Sequence, residues 1–187
     1  MNKHAQVSSE SERLILVDHD DNVVGFSSKG EAHDGEGVLH RAFSIFIFNA
    51  EGSVLLQQRS AQKRLWPLYW SNSCCSHPRE GESYAQSTER RLREELSLEA
   101  ELVFLYRFSY HAPFGDAGSE RELCSVYAGH VRDQAVDVNP NEIAAWKWVS
   151  PSEVDRLLVE EPDTLTPWFK MEWTRIRKDH SAEIAPR

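Results

Sequence analysis

A chain of 187 residues with 40% hydrophobic and 10% aromatic side chains has the size of one folded domain with a sizeable core. Thirty acidic against 21 basic residues give a net charge of -9, which opposes binding to nucleic acid or to an anionic membrane surface, and the longest apolar run, 42–48 interrupted by Ser44, is too short to span a bilayer. Three cysteines, two of them adjacent, make a poor disulfide framework and point to a reducing compartment, the cytoplasm. The expected assembly is a monomer or weak homodimer without nucleic-acid or membrane partners.

Residues 1–12 lack an apolar core and a cleavage pattern, so a flexible arm is expected there, ahead of a single domain over 13–180 and a tail over 181–187. Segments 14–17 and 23–26 predict two strands joined at His19, Asp20, Asp21 and Asn22. A polar, glycine-rich loop over 27–37 follows, then strands over 41–49 and 53–58 around the turn Ala50, Glu51 and Gly52. Ser83 with Gln86 three positions on forms a capping box, opening a charged helix to Ser97 with an apolar stripe of Ala85, Leu92 and Leu96. Strands are predicted over 102–110 and 121–131, linked by a turn-rich segment, and over 143–149. Ser150-Pro151-Ser152-Glu153 caps a helix running to Glu160, and Thr166-Pro167 opens the last helix in the same manner, with Trp168, Met171 and Ile176 apolar. Mixed strands and helices around one core predict an α/β sandwich.

The chemistry concentrates in S-N-S-C-C-S-H-P-R-E from Ser71. In an extended segment Cys75 and His77 share one face, a candidate acid/base thiol beside a candidate metal ligand, while Cys74 packs on the other. Glu120, Glu122 and Cys124 alternate onto one face of their strand, and Tyr110 lies across the hairpin, where its hydroxyl reaches a carboxylate. An isolated E-x-E is commonly a solvated strand face, but here it has the apolar company of Leu123 and Val126. With His33, His40 and His77, the two glutamates make a ligand set for a five- or six-coordinate transition metal or magnesium, not a closed tetrahedral zinc. The histidines at 4, 19, 111, 130 and 180 are assigned to solvent. Arg91 and Glu95 fall on one helical face by i,i+4 spacing, as a structural ion pair or as a phosphate contact and a second cation ligand; Lys29, Arg59 and Lys63 could complete an anion pocket.

These residues together resemble type I isopentenyl-diphosphate delta-isomerase, a family of the Nudix-fold superfamily. The resemblance spans 31–168. It rests on His33 and His40, N-x-x-G-x-x-L-L-x-Q-x-R from Asn49, W-P-x-x-W-S-N-S-C-C-S-H-P from Trp66, R-R-L-x-E-E-L from Arg90, E-x-E at Glu120 and T-P-W-F from Thr166. Registered on a Nudix hydrolase helix, Glu82, Arg90, Glu94 and Glu95 fall in place, Ser76 and Ser97 replace glycines, and Arg91 replaces the hydrolytic glutamate. The resemblance implies a Nudix-like α/β/α sandwich with a mixed sheet. It further implies Cys75 and Glu122 as the acid/base pair with Tyr110 supporting Glu122, and a divalent metal (Mn2+, Zn2+ or Mg2+) held by His33, His40, His77, Glu120 and Glu122. Mg2+ is expected between Glu95 and the substrate diphosphate, with Lys29, Arg59, Lys63 and Arg91 as diphosphate contacts and Trp168 against the isoprenoid tail. The rival expectations are a Nudix-type diphosphate hydrolase and a non-catalytic, metal-stabilised binding module.

Overall fold

The computed structural model describes residues 6–186. Strands β1 (Arg13–Val17) and β2 (Val23–Ser28) form the expected hairpin. They are followed by β3 (His40–Phe48), β4 (Val54–Arg59), β5 (Trp70–Ser71), β6 (Cys74–Ser76), β7 (Leu102–Pro113), β8 (Ser119–His130) and β9 (Ile143–Val149). All nine join one mixed sheet: β8 runs parallel to β3 and antiparallel to β7, while β6 pairs with β3, and β4 pairs with both β5 and β9.

Both faces of this sheet are covered, and β3 shows why. Its apolar run, broken only at Ser44, sends Ala42, Phe46 and Phe48 into one core and Phe43, Ile45 and Ile47 into the other. On the first face lie α3 (Pro151–Glu160), through Val154 and Leu157, and α4 (Pro167–Asp179), through Trp168, Phe169, Trp173 and Ile176. On the second lies α2 (Tyr84–Leu96), through Leu92 and Leu96. The result is an α/β/α sandwich.

Several local expectations are corrected. The loop predicted over 27–37 contains a one-turn helix, α1 (Lys29–Ala32), closed by a reciprocal capping box between Ser28 and Glu31; four residues are too few for helical periodicity to register. Strand β7 runs on to Pro113, because each residue from Tyr110 to Pro113 finds a partner on β8. Ala85 shares the face of Leu92 but overhangs an open groove beside Thr88 and Tyr127, so it is exposed. Met171 is exposed too, and Phe169 and Trp173 take the buried stripe of α4. Thr166 makes no cap bond; its hydroxyl meets Ser71 Oγ at 3.0 Å instead. Ser150 caps α3 through Glu153 N without the reciprocal bond.

Candidate active site and metal centre

Strand register assembles the site. His40 begins β3 directly opposite Glu122 of β8, Tyr110 of β7 faces Glu122 from the other side, and Ser44 of β3 opposes Cys75 of β6. Cys75 packs against the first-face core and Cys74 is buried in the second, as the alternation requires. His33 caps the C-terminus of α1, and His77 lies one residue past β6.

These elements bring His33, His40, His77, Glu120 and Glu122 together with ligand atoms within 4.8 Å of one another, all five buried. His33 Nδ1 lies 2.6 Å from the Lys29 carbonyl and His40 Nδ1 2.7 Å from that of Val38. A carbonyl only accepts, so each Nδ1 carries a proton and each Nε2 is turned to the centre, where a neutral imidazole offers a lone pair. His33 Nε2 is 2.8 Å from Glu120, while His77 Nε2 is 2.9 Å and His40 Nε2 3.8 Å from Glu122 Oε1. His40 Nε2 and His77 Nδ1 have no hydrogen-bond partner. Buried imidazoles aimed at one point, some unpartnered, with two carboxylates, fit a divalent cation and fit an apolar packing role poorly.

The electrostatics sort the two glutamates. Burial together with Glu120 pushes Glu122 well above the carboxylate range, whereas the imidazoles, His33 foremost, hold Glu120 well below it against the cost of burial. Burial lowers His40 to about 4, aided by His33, and takes His77 down as well. His33 alone of the three is raised: burial opposes its charge, but Glu120 outweighs it. Burial drives the Cys75 thiol up to about 12 although Arg59 Nη1 stands 3.9 Å from its sulfur. Tyr110 donates to Glu122 Oε2 at 2.6 Å.

Cys75 and Glu122 line one cavity of about 320 Å³. Lys29, Arg59, Lys63 and Arg91 also line it, as do Tyr110 and Trp168. Of the residues predicted for the site, His40 and Glu95 do not reach the cavity wall: His40 lies behind the other imidazoles, and Glu95 is buried against Arg91 Nη2 at 2.5 Å. Arg59 is fixed by the carbonyls of Leu65 and Trp66 and lies over the Trp168 ring at 5.2 Å, with Trp66 edge-on to Trp168 at 5.2 Å. Cations and aromatic rings thus line the same cavity, with Arg59 bridging the two. Sequence reasoning missed Glu142, which joins Lys63 and Arg91 and stands in no pattern that separates it from an ordinary turn residue; Trp66 opens a quoted motif but was given no role in the site. It also missed the contacts of residues 6–12: the Val7 carbonyl accepts from Arg79 and Arg91, and Ser8 Oγ accepts from Lys29 Nζ. Residues 1–5 of the expected arm lie outside the described residues, as does residue 187 of the expected tail; within that tail, Ile184 is buried in the first-face core.

The sandwich and its charged helix match the NUDIX domain family over residues 38–169. Among solved structures, DR0079 from Deinococcus radiodurans is similar with a TM-score of 0.71 and 27% identity, covering 88% of this chain and 98% of that one. Among relatives, Isopentenyl-diphosphate Delta-isomerase 1 of Photorhabdus laumondii is 42% identical over 90% of this chain and 97% of its own length. The Isopentenyl-diphosphate Delta-isomerase of Serratia proteamaculans is 42% identical over 84% and 87%. The chain belongs to the NUDIX family, within its isopentenyl-diphosphate Delta-isomerase branch.

Proposed function

We propose that the protein interconverts isopentenyl diphosphate and dimethylallyl diphosphate, a step of isoprenoid biosynthesis, with Cys75 and Glu122 as the acid/base pair. The observation that carries this is their shared cavity, with Tyr110 bonded to Glu122 and the cations Lys29, Arg59, Lys63 and Arg91 among the lining residues. The reaction adds a proton to the terminal carbon of an unactivated alkene and removes one two carbons away, through a tertiary carbocation. Two proton carriers facing one planar C5 unit meet that demand: one hands over its proton, the other takes one, and the roles exchange in reverse. Lys29, Arg59, Lys63 and Arg91 would hold the diphosphate and so fix the C5 unit between the carriers. Trp168 would lie against the C5 unit, where an aromatic face stabilises a desolvated cation by about 2 kcal/mol.

His33, His40, His77, Glu120 and Glu122 would hold a divalent cation, Mn2+, Zn2+ or Mg2+. Such a charge would keep the glutamates ionised where they bind it and sharpen the acidity of Glu122. For Glu95 to hold Mg2+ with the diphosphate, its carboxylate would have to exchange Arg91 for the cation, because it lies behind the cavity wall. Arg91, buried between Glu95 and Glu142 where a hydrolase helix carries a glutamate, supports holding a diphosphate without cleaving it. We assign the activity to one catalytic domain over 13–180 of a cytoplasmic protein, monomeric or weakly dimeric; the three free cysteines support the compartment. A coupled assay of the purified protein with isopentenyl diphosphate tests this: dimethylallyl diphosphate is expected with divalent cations and not after their removal. Release of phosphate, or no turnover with cations present, overturns it.

A further inference from the structure

Glu142 sits in a tight turn just ahead of β9. Its N–H donates to the Asn139 carbonyl at 3.0 Å, and its own carbonyl accepts Ser60 N at 2.9 Å, so the turn is stitched to the loop that carries Lys63. Its side chain is 2% exposed, and a single oxygen, Oε2, accepts from Lys63 Nζ and, at 3.1 Å, from Arg91 Nη2. Among the described residues it is the carboxylate that touches both cations. Arg91 has other acceptors: Nη2 also meets Glu95 Oε1 at 2.5 Å, while Nε donates to Glu95 Oε1 at 2.9 Å and Nη1 to the Val7 carbonyl at 2.9 Å, which fixes the remaining nitrogens. Lys29 is half-buried nearby and lines the same cavity, and desolvation together with repulsion from Lys63 disfavours its charge. Three cations lining one cavity repel one another, and an anion fixed behind two of them offsets that repulsion before substrate arrives.

We propose that Glu142 is the positioning residue of the anion pocket: from behind the cavity wall it holds the Lys63 ammonium and the Arg91 guanidinium in the arrangement that receives a diphosphate. This rests on the diphosphate reading of the site and adds to it a residue that touches no reacting atom. Preorganisation of this kind acts on binding and leaves the proton transfers alone.

The test is calorimetric titration of inorganic pyrophosphate, at fixed magnesium concentration, into the wild-type protein and Glu142→Gln, together with steady-state kinetics on isopentenyl diphosphate. Glu142→Gln is expected to weaken pyrophosphate binding by roughly tenfold or more and to raise KM in parallel, with kcat little changed. Binding as tight as in the wild type, or tighter, overturns the proposal, as does a fall in kcat at constant KM. Should Glu142→Gln fail to fold, Glu142→Asp decides, since it keeps the charge and withdraws it by one methylene: weakened binding at unchanged kcat upholds the role and unchanged binding overturns it. A wild-type protein that binds no pyrophosphate overturns the diphosphate reading itself, and this role with it. Equal binding by wild type and variant overturns only the role of Glu142.

Discussion

Cys75 and Glu122 are placed by strand register and carry little packing, so their loss should be chemical. Cys75→Ala and Glu122→Gln are each expected to lower kcat by roughly 10²–10⁴-fold, the range for a positioned acid or base, with the Cys75→Ala melting curve close to wild type and Glu122→Gln also losing cation-dependent stability. Near-normal turnover by either variant removes it from the pair. These two were legible in sequence because C-C-S-H and E-x-E set chemically distinctive side chains at period two, and that spacing fixes a shared face in any strand. Glu142 and Glu172 were not legible, since a glutamate in a turn or on a helix reads as surface. Glu172 is fully buried with Oε1 3.6 Å from Cys124 Sγ and Oε2 without a partner, and burial raises its carboxyl from 4.5 to about 8. A raised carboxyl stabilises the fold fully below about pH 4.5 and loses that contribution as pH climbs through about 8. Glu172→Gln lacks this titration, so urea midpoints should favour the variant increasingly from pH 5.5 to 8.5. A pH-independent difference would show that Glu172 does not titrate this way.

The elements that sequence predicted well are those whose signals are local and strong: the hairpins, the Ser83–Gln86 cap of α2 and the strand β9. Those it missed depend on tertiary contact. The stripe of α4, Trp168, Phe169, Glu172, Trp173 and Ile176, contains a glutamate, which hid its true face and let Met171 stand in for a core residue. The end of α2 shows what a departure from the Nudix pattern entails: Ser97, where that pattern has glycine, holds φ 54° in the left-handed region, with its hydroxyl on the Asp137 carbonyl at 3.0 Å. At the other end, Ser83 accepts Gln86 N at 3.3 Å while Gln86 returns a bond to Ser83 N at 2.9 Å. Ser83→Ala should cost about 1 kcal/mol of stability, read as a lower urea midpoint at unchanged slope. No loss would mean that tertiary packing alone holds this turn.

At the scale of the molecule, the His/Glu centre ties α1, β3, β8 and the segment after β6 into one end of the sheet. A cation bound there only in the folded state stabilises by linkage, about 2.7 kcal/mol at a hundredfold excess over Kd, so chelation should lower Tm and added Mn2+ or Zn2+ restore it. His77→Ala should blunt that response; a Tm indifferent to chelator and cation would argue against a bound metal. The fold gathers the proton carriers and the cations around one cavity from separate strands, loops and helices, which no single motif in the sequence discloses. The decisive measurement is turnover of isopentenyl diphosphate in deuterated water, followed by NMR. Proton exchange through Cys75 and Glu122 predicts dimethylallyl diphosphate with solvent deuterium in its new methyl group, and unlabelled product would contradict it.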